Sequence, residues 1–259
     1  MSTPERLLKF GLSLTPEAGG VAALPALPEC FELLELPGMV LDEPGVLSDY
    51  LGREQFAGCD FRNLIPAKIT REVTDQNPAI AAEYKEQLRR LMALAHEFGA
   101  SGVGLDPDWE MLCDYPAQHA VFNDILCSTA GDRAGLRMDF QLTVRIPGTG
   151  SRPAGAALQW LNRLVNDRVK LALEINPHEL LNREIDWSST LTPFRFEVDT
   201  VRLCYESELG NRLLYQHVAG LLEALRGWRR EVAVYLAPSG RADYDELAEL
   251  AHRAMQESA

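Results

Sequence analysis

The sequence predicts a single α/β domain, a (β/α)8 barrel in which each parallel strand is followed by a helix or loop. The chain has 259 residues, about the length of one such barrel. Eight short apolar segments alternate with stretches of helical periodicity, the pattern of parallel strands with crossover helices. No Gly-x-Gly-x-x-Gly sequence opens any β–α unit, which disfavours the alternative of an open, doubly wound sheet. We therefore expect one domain over residues 1–259.

Eight segments are predicted as strands because they are short, apolar and bounded by polar or Gly/Pro-containing stretches. They are Leu8–Leu14, Cys30–Leu36, Phe61–Ile69, Ser101–Leu105, Met138–Ile146, Val169–Ile175, Val198–Tyr205 and Glu231–Leu236. Their near-continuous apolar character is typical of parallel strands that helices cover on one face and a filled barrel interior covers on the other.

The clearest predicted helix lies between the third and fourth strands. Its apolar residues recur every three or four positions and form one stripe: Ile80, Tyr84, Leu88, Leu91, Ala95 and Phe98. Asp75 or Asn77 can cap its start and Gly99 can end it. Further helical segments are predicted over residues 44–56, 110–132, 154–165, 177–182, 209–228 and 244–255.

Composition and charge narrow the classes of function. The net charge of −13 disfavours binding to nucleic acid, because phosphate backbones attract basic surfaces. No apolar run is long enough to cross a membrane, and the first residues do not form a secretory signal. Five cysteines without a Cys-x-x-Cys pair indicate free thiols and a cytoplasmic protein. A homodimer is the default oligomeric expectation.

Function in a (β/α)8 barrel lies at the carboxyl-terminal ends of the strands. Seven polar side chains are predicted there: Glu35, Asn63, Asp106, Arg145, Glu174, His178 and Tyr235. We interpret Glu35, Glu174 and His178 as candidate proton-transfer groups, because carboxylates and histidine serve as general acids and bases. We interpret Asn63, Asp106, Arg145 and Tyr235 as candidate substrate-binding groups, which can hydrogen-bond to hydroxyls, clamp an anion or stack on a sugar ring.

Each candidate also has a purely structural interpretation. Arg145 and Glu174 could form an ion pair between neighbouring strands. Asp106 could begin a helix, Asn63 could stabilise a turn, and His178 lies in the first turn of the helix that Pro177 opens. Tyr235 could fill space in the core.

Several segments together resemble the xylose-isomerase-like TIM barrel family, which contains sugar phosphate isomerases and epimerases and the type 2 apurinic endonucleases. The resemblance rests on LKFGLSL from Leu8, on FELLELPG from Phe31 with Leu34-Glu35-Leu36 at the strand end, and on Asn63-Leu64-Ile65-Pro66. A helix ending in AHEFGA up to Ala100 adds to it. The resemblance spans most of the chain and implies a barrel that handles a small sugar derivative.

The family's divalent metal ligands are largely missing. In the family they are carboxylates and a histidine at the ends of strands five to eight. Here the corresponding positions read Val144-Arg145-Ile146-Pro147, Glu174-Ile175-Asn176-Pro177-His178, Leu203-Cys204-Tyr205-Glu206 and Val234-Tyr235-Leu236-Ala237-Pro238. Because a hard cation needs several converging oxygen or imidazole ligands, we expect no metal and no other cofactor, and Arg145 could supply the positive charge instead.

The resemblance and these departures predict a divergent sugar isomerase or epimerase-like barrel. It would bind or convert a small sugar, polyol or acidic metabolite at the barrel mouth without the family's metal. One alternative is a non-catalytic barrel that binds a ligand or a protein partner. Another is a metal-dependent enzyme in which Mn²⁺, Mg²⁺ or Zn²⁺ is held by rearranged ligands such as Asp106, Asp108, Glu174 and His178.

Overall fold

The structure, a computed structural model, describes most of the chain. The described residues are 7–14, 24, 26, 28–53, 58–63, 77–107, 109, 112, 116–131, 138–146, 152–162, 168–182, 184–206, 215–239 and 244–257. None of the described helices is long and apolar enough to cross a membrane. Among the described cysteines, Cys30 and Cys127 are free thiols.

Eight strands form a closed barrel in which each strand pairs in parallel with its neighbours in chain order, and β8 pairs with β1. They are β1 (Leu8–Ser13), β2 (Leu33–Pro37), β3 (Gly58–Asn63), β4 (Ala100–Leu105), β5 (Asp139–Ile146), β6 (Val169–Ile175), β7 (Val198–Glu206) and β8 (Val232–Ser239). The predicted (β/α)8 barrel is therefore confirmed.

The described residues contain eight α-helices, which lie between and after the strands. They are α1 (Pro44–Arg53), α2 (Pro78–Glu97), α3 (Pro116–Gly131), α4 (Arg152–Leu161), α5 (Pro177–Leu181), α6 (Trp187–Leu191), α7 (Tyr215–Arg226) and α8 (Tyr244–Gln256), with short 3₁₀ turns at Gly38–Asp42 and Thr192–Phe194. The predicted elements occur in the predicted order, and most boundaries differ by a few residues, but α6 was not predicted.

The third strand is the largest departure from the sequence prediction. It occupies Gly58–Asn63 rather than Phe61–Ile69, and residues 64–69 lie outside the described part of the chain. Its sequence GCDFRN has no apolar run. Its strand conformation comes from backbone pairing with β2 and β4 on either side. The local sequence does not predict this pairing.

The strands alternate between apolar and polar residues, which corrects the expectation of near-continuous apolar strands. Along β5, Phe140, Leu142 and Val144 join the hydrophobic core, whereas the alternate residues are Gln141 and Thr143. Successive side chains of a strand point to opposite faces. The apolar face therefore packs beneath the helices, and the barrel interior is lined by polar and small side chains.

Candidate ligand site at the barrel mouth

A row of polar side chains crosses four consecutive strands of the barrel. Arg145 of β5 pairs in register with Glu174 of β6, Glu174 with Arg202 of β7, and Arg202 with Tyr235 of β8. Residues paired across neighbouring strands present their side chains to the same face. The row therefore alternates positive, negative and positive charge and ends on a tyrosine.

Arg202 forms an ion pair with Glu35 through the barrel interior. Its Nε donates to both Glu35 carboxylate oxygens at 2.8 Å, and its Nη2 donates to Oε1. Strands β7 and β2 are not neighbours in the closed sheet, so the contact crosses the space that the strands enclose. The two side chains are 0% and 2% exposed.

Two neutral side chains also lie against the Arg202 guanidinium. Its Nη1 lies 3.4 Å from Thr143 Oγ1, and its Nη2 lies 3.4 Å from Gln141 Oε1. Burial lowers the pKa of Arg202, but the charge and hydrogen bonds of Glu35 and the charge of Glu174 raise it by more. Arg202 is thus a permanent positive charge at the centre of the barrel.

Arg145 forms a second cluster nearer the solvent. Its Nη1 donates to Asp106 Oδ1 at 2.9 Å, its Nη2 donates to Asp106 Oδ2, and its Nε donates to Glu174 Oε1 at 3.0 Å. Arg145 is 49% exposed, whereas Asp106 and Glu174 are 14% and 11% exposed. Partial burial lowers the pKa of Arg145, but hydrogen bonds to Asp106 and the charges of both carboxylates raise it above its ordinary value.

The segment after β4 is attached to β5 by a buried tryptophan. Trp109 Nε1 donates to the carbonyl oxygen of Thr143 at 2.7 Å, and its ring packs edge-on against Trp160 of α4. This contact keeps the end of β4 close to β5, where Asp106 meets Arg145. The arrangement of the cluster therefore depends on packing as well as on charge.

Tyr235 packs closely against a glycine on the neighbouring strand. A β-carbon at Gly11 would lie 2.9 Å from Tyr235 Cδ1 and 2.7 Å from the carbonyl oxygen of Leu33. Tyr235 is 1% exposed and lies outside the hydrophobic core cluster, consistent with its place in the polar row. Gly11 therefore provides the space that the phenol ring occupies.

The structure brings five of the seven predicted site residues together in these two clusters and the row that joins them. They are Glu35, Asp106, Arg145, Glu174 and Tyr235. The ion pair between Arg145 and Glu174, the structural interpretation of these residues, is present. Asp106 binds Arg145 with both oxygens.

Two of the predicted residues do not join the clusters. His178 lies in α5 with an exposed side chain, and within the described part of the chain no hydrogen bond or ion pair links it to Glu174. Asn63 ends β3, but its side chain lies outside what the structure describes, as does Asp108.

The sequence analysis missed Arg202, which pairs with Glu35, and it missed Thr143 and Gln141, which contact the Arg202 guanidinium. A signal was present: Arg202 lies in the middle of the strand VDTVRLCYE, between the apolar residues Val201 and Leu203. A buried arginine needs an acidic partner. Arg202 was not predicted as a site residue because the candidates were taken from the last residues of each strand.

The described residues do not fit the divalent metal that the resemblance implies. Among them, no group of three or more His, Cys, Asp or Glu side chains could hold a metal ion. The three acids near the mouth are engaged by guanidinium groups instead, Glu35 by Arg202, and Asp106 and Glu174 by Arg145. The alternative of a metal held by rearranged ligands included Asp106 and Glu174, and both of these acids already pair with Arg145.

Comparison with solved structures gives strong similarity at the level of fold. A D-psicose 3-epimerase from Clostridium cellulolyticum, solved with D-tagatose, matches with a TM-score of 0.66 and 14% identity, over 96% of this chain and 98% of that one. A 3-keto-D-glucoside 4-epimerase from E. coli matches with 0.65 and 14%, over 94% and 98%. A xylose isomerase domain protein from Alicyclobacillus acidocaldarius matches with 0.63 and 11%, over 96% and 99%.

No protein-family model and no curated protein sequence matches this chain. At 11 to 14% identity to those three structures, the similarity establishes the fold. That fold is the (β/α)8 barrel which this chain shares with sugar epimerases and a xylose-isomerase-like protein, as the sequence resemblance predicts. A fold hosts many functions, so the function must be argued from the site.

Proposed function

We propose that this protein binds a small sugar or polyol at the carboxyl-terminal mouth of its barrel, without a catalytic divalent metal. The observation that carries the proposal is the half-exposed Arg145, held between Asp106 and Glu174. Sugar hydroxyls both donate and accept hydrogen bonds. A fixed guanidinium beside two carboxylates offers donors and acceptors side by side to such a ligand.

Charge favours a neutral ligand over an acidic one. The two clusters contain two guanidinium groups, of Arg145 and Arg202, and three carboxylates, of Glu35, Asp106 and Glu174. They therefore carry one net negative charge. A carboxylate or phosphate ligand would be repelled by the three carboxylates, which already pair with the two arginines. A neutral polyol would not be repelled.

The sugars present in solved structures of the same fold support this class of ligand. Two epimerases that match this chain, at 14% and 15% identity, were solved with D-tagatose and D-allulose. Each is a neutral ketohexose of the size that a barrel mouth accommodates. Free thiols at Cys30 and Cys127 support a location in the reducing cytoplasm.

Binding is better supported than conversion. An isomerase or epimerase that transfers protons through Glu35 and Glu174 needs their oxygens to be available to the substrate. Both carboxylates accept hydrogen bonds from guanidinium groups, so the ion pairs would first have to open. We therefore propose a ligand-binding barrel, and treat conversion of the sugar as an outcome that the experiment can reveal.

The test is calorimetric titration of the protein with D-tagatose, D-allulose, D-fructose and, as an acidic counterpart, gluconate. We expect saturable binding of at least one neutral sugar and weaker binding of gluconate. Arg145→Gln is expected to weaken sugar binding about 10- to 100-fold, the effect of losing hydrogen bonds to a charged group. Arg90→Gln removes an exposed arginine of α2 that pairs with Glu86 and serves as the matched control.

Two results would contradict the proposal: no saturable binding of any neutral sugar, or equal binding by the wild type and Arg145→Gln. Incubation of each sugar in D₂O, followed by NMR, tests conversion at the same time. Incorporation of deuterium at a carbon next to the carbonyl would show that the barrel is an isomerase or epimerase and not only a binding protein.

The homodimer expected from the sequence stays a prediction.

A further inference from the structure

The Arg202 guanidinium lies in a shell made of oxygen atoms. Its hydrogen-bond acceptors include Oε1 and Oε2 of Glu35, Oγ1 of Thr143 and Oε1 of Gln141. Glu174, its neighbour on β6, adds a further negative charge close by. Three strands, β2, β5 and β7, thus point polar side chains at one place inside the barrel.

An all-oxygen shell with carboxylate charge is the environment that hard cations prefer. A buried carboxylate such as Glu35, 2% exposed, also requires a positive partner, because an isolated charge is too costly to bury. The interior of this barrel therefore requires a cation at its centre. In this chain the cation is covalently attached, as the end of the Arg202 side chain.

We propose that Arg202 is the built-in cation of the barrel, and that it fills an oxygen-lined site which would otherwise take a divalent ion. The guanidinium supplies a single, permanent positive charge, and its planar fork matches the two Glu35 oxygens. As a positioning residue, it fixes Glu35 beneath the mouth. A divalent cation is excluded, since its place is taken and its ligands are neutralised.

This inference rests on the metal-free part of the proposed function and deepens it. It does not depend on which sugar binds, because it concerns the interior beneath the Arg145 cluster. Sugar titration of the wild type tests the proposed function, whereas the cation experiment below tests the role of Arg202. The two can therefore fail separately.

The experiment measures thermal unfolding of the purified protein with and without about 1 mM Mn²⁺ or Mg²⁺. The wild type is expected to show no shift. Arg202→Ala opens the site and leaves the Glu35 carboxylate without the guanidinium, so its melting temperature should fall by about 10 °C. Added Mn²⁺ should recover about 5 °C or more of this loss, because a ligand that binds only the folded state stabilises it.

Two variants separate a specific site from a general effect of charge. Glu35→Gln combined with Arg202→Ala removes the charge that would attract the cation, so the double variant should be more stable than Arg202→Ala and should not respond to Mn²⁺. Arg168→Ala removes a partly exposed arginine that pairs with Asp139. It should unfold close to the wild-type temperature with and without the ion.

Electron paramagnetic resonance of Mn²⁺ gives an independent count of bound ions. About one bound ion in Arg202→Ala and none in the wild type is the expected result. Stoichiometric Mn²⁺ in the wild type would overturn the inference. An Arg202→Ala protein that binds no Mn²⁺ and is not stabilised by it, or that fails to fold in its presence, would also overturn it. An equal response of the double variant would also overturn it, because the ion would then bind elsewhere.

Discussion

Single buried polar residues determine the character of the barrel interior. Arg202 and Glu35 lie 167 positions apart in the chain, and each stands between two apolar residues of its strand. The sequence reveals that such charges need partners, because unpaired ones are too costly to bury. It does not reveal which partners, since many acids and arginines are available along the chain. The closed barrel places β2 and β7 across from each other, and this placement determines that Glu35 pairs with Arg202.

A buried hydroxyl on α2 gives a prediction at the residue scale. Tyr84 is 5% exposed, its hydroxyl finds no partner among the described residues, and burial raises its pKa. Tyr84→Phe removes this unsatisfied group and should increase the free energy of unfolding by about 1 kcal/mol. Urea denaturation measures the change.

Tyr215→Phe is the matched control for this substitution. The Tyr215 hydroxyl hydrogen-bonds to the Glu257 carboxylate and helps to lower the pKa of that acid. Its removal should therefore lower stability or leave it unchanged. If Tyr84→Phe also destabilises the protein, the Tyr84 hydroxyl has a partner, and our reading of its surroundings is wrong.

Among the elements, α2 was predicted most accurately because its information is local. The buried face of α2 consists of Tyr84, Leu88, Met92 and Ala95, which overlaps the predicted apolar stripe. Asn77, one of the two predicted caps, accepts a hydrogen bond from the Ala79 amide. Gly99 follows the helix with a φ of 78°, a conformation that glycine adopts without strain.

The cap of α2 gives a prediction at the element scale. Asn77→Ala removes the acceptor for the Ala79 amide at 3.1 Å and should lower the free energy of unfolding by about 1 kcal/mol. Asn77→Asp keeps an acceptor at the same position and should be nearly neutral. Guanidinium chloride denaturation of both variants checks this. An equal loss in both would mean that the side chain stabilises the helix in another way than by capping.

Elements without a strong local pattern were predicted poorly. The five residues of α6 are too few to show a helical period, and the helix is held by Asp186, which caps it, and by buried Trp187. Strand β3 was predicted too far along the chain because apolar content, the only local guide, follows the real strand. Strand β3 owes its conformation to neighbours that are distant in sequence, whereas α6 depends on its cap and on the burial of Trp187.

The whole molecule carries an excess of negative charge that its fold must tolerate. With a net charge of −13, like charges on the surface repel one another in the folded state. Raising the salt concentration from about 0.01 M to about 0.15 M shortens the screening length from about 30 Å to about 8 Å. We therefore expect the melting temperature to rise by a few degrees over this range.

Differential scanning calorimetry at constant pH measures this effect, with an equal osmolality of sucrose as the control for non-ionic stabilisation. The buried pair of Arg202 and Glu35 is screened little by salt and should contribute the same stability throughout. A melting temperature that falls with salt would show that surface ion pairs, such as Lys85 with Asp124, outweigh the repulsion.

The sequence by itself determined the order of strands and helices, the (β/α)8 class and the presence of acids and an arginine at the strand ends. These features depend on local periodicity and on length, which a linear chain displays directly. Only the tertiary structure decided that Asp106, Arg145 and Glu174 form one cluster, and that Arg202 and Glu35 form another. The reason is geometric: closure of the barrel sets the registers and brings distant strands face to face, and no local pattern encodes that closure.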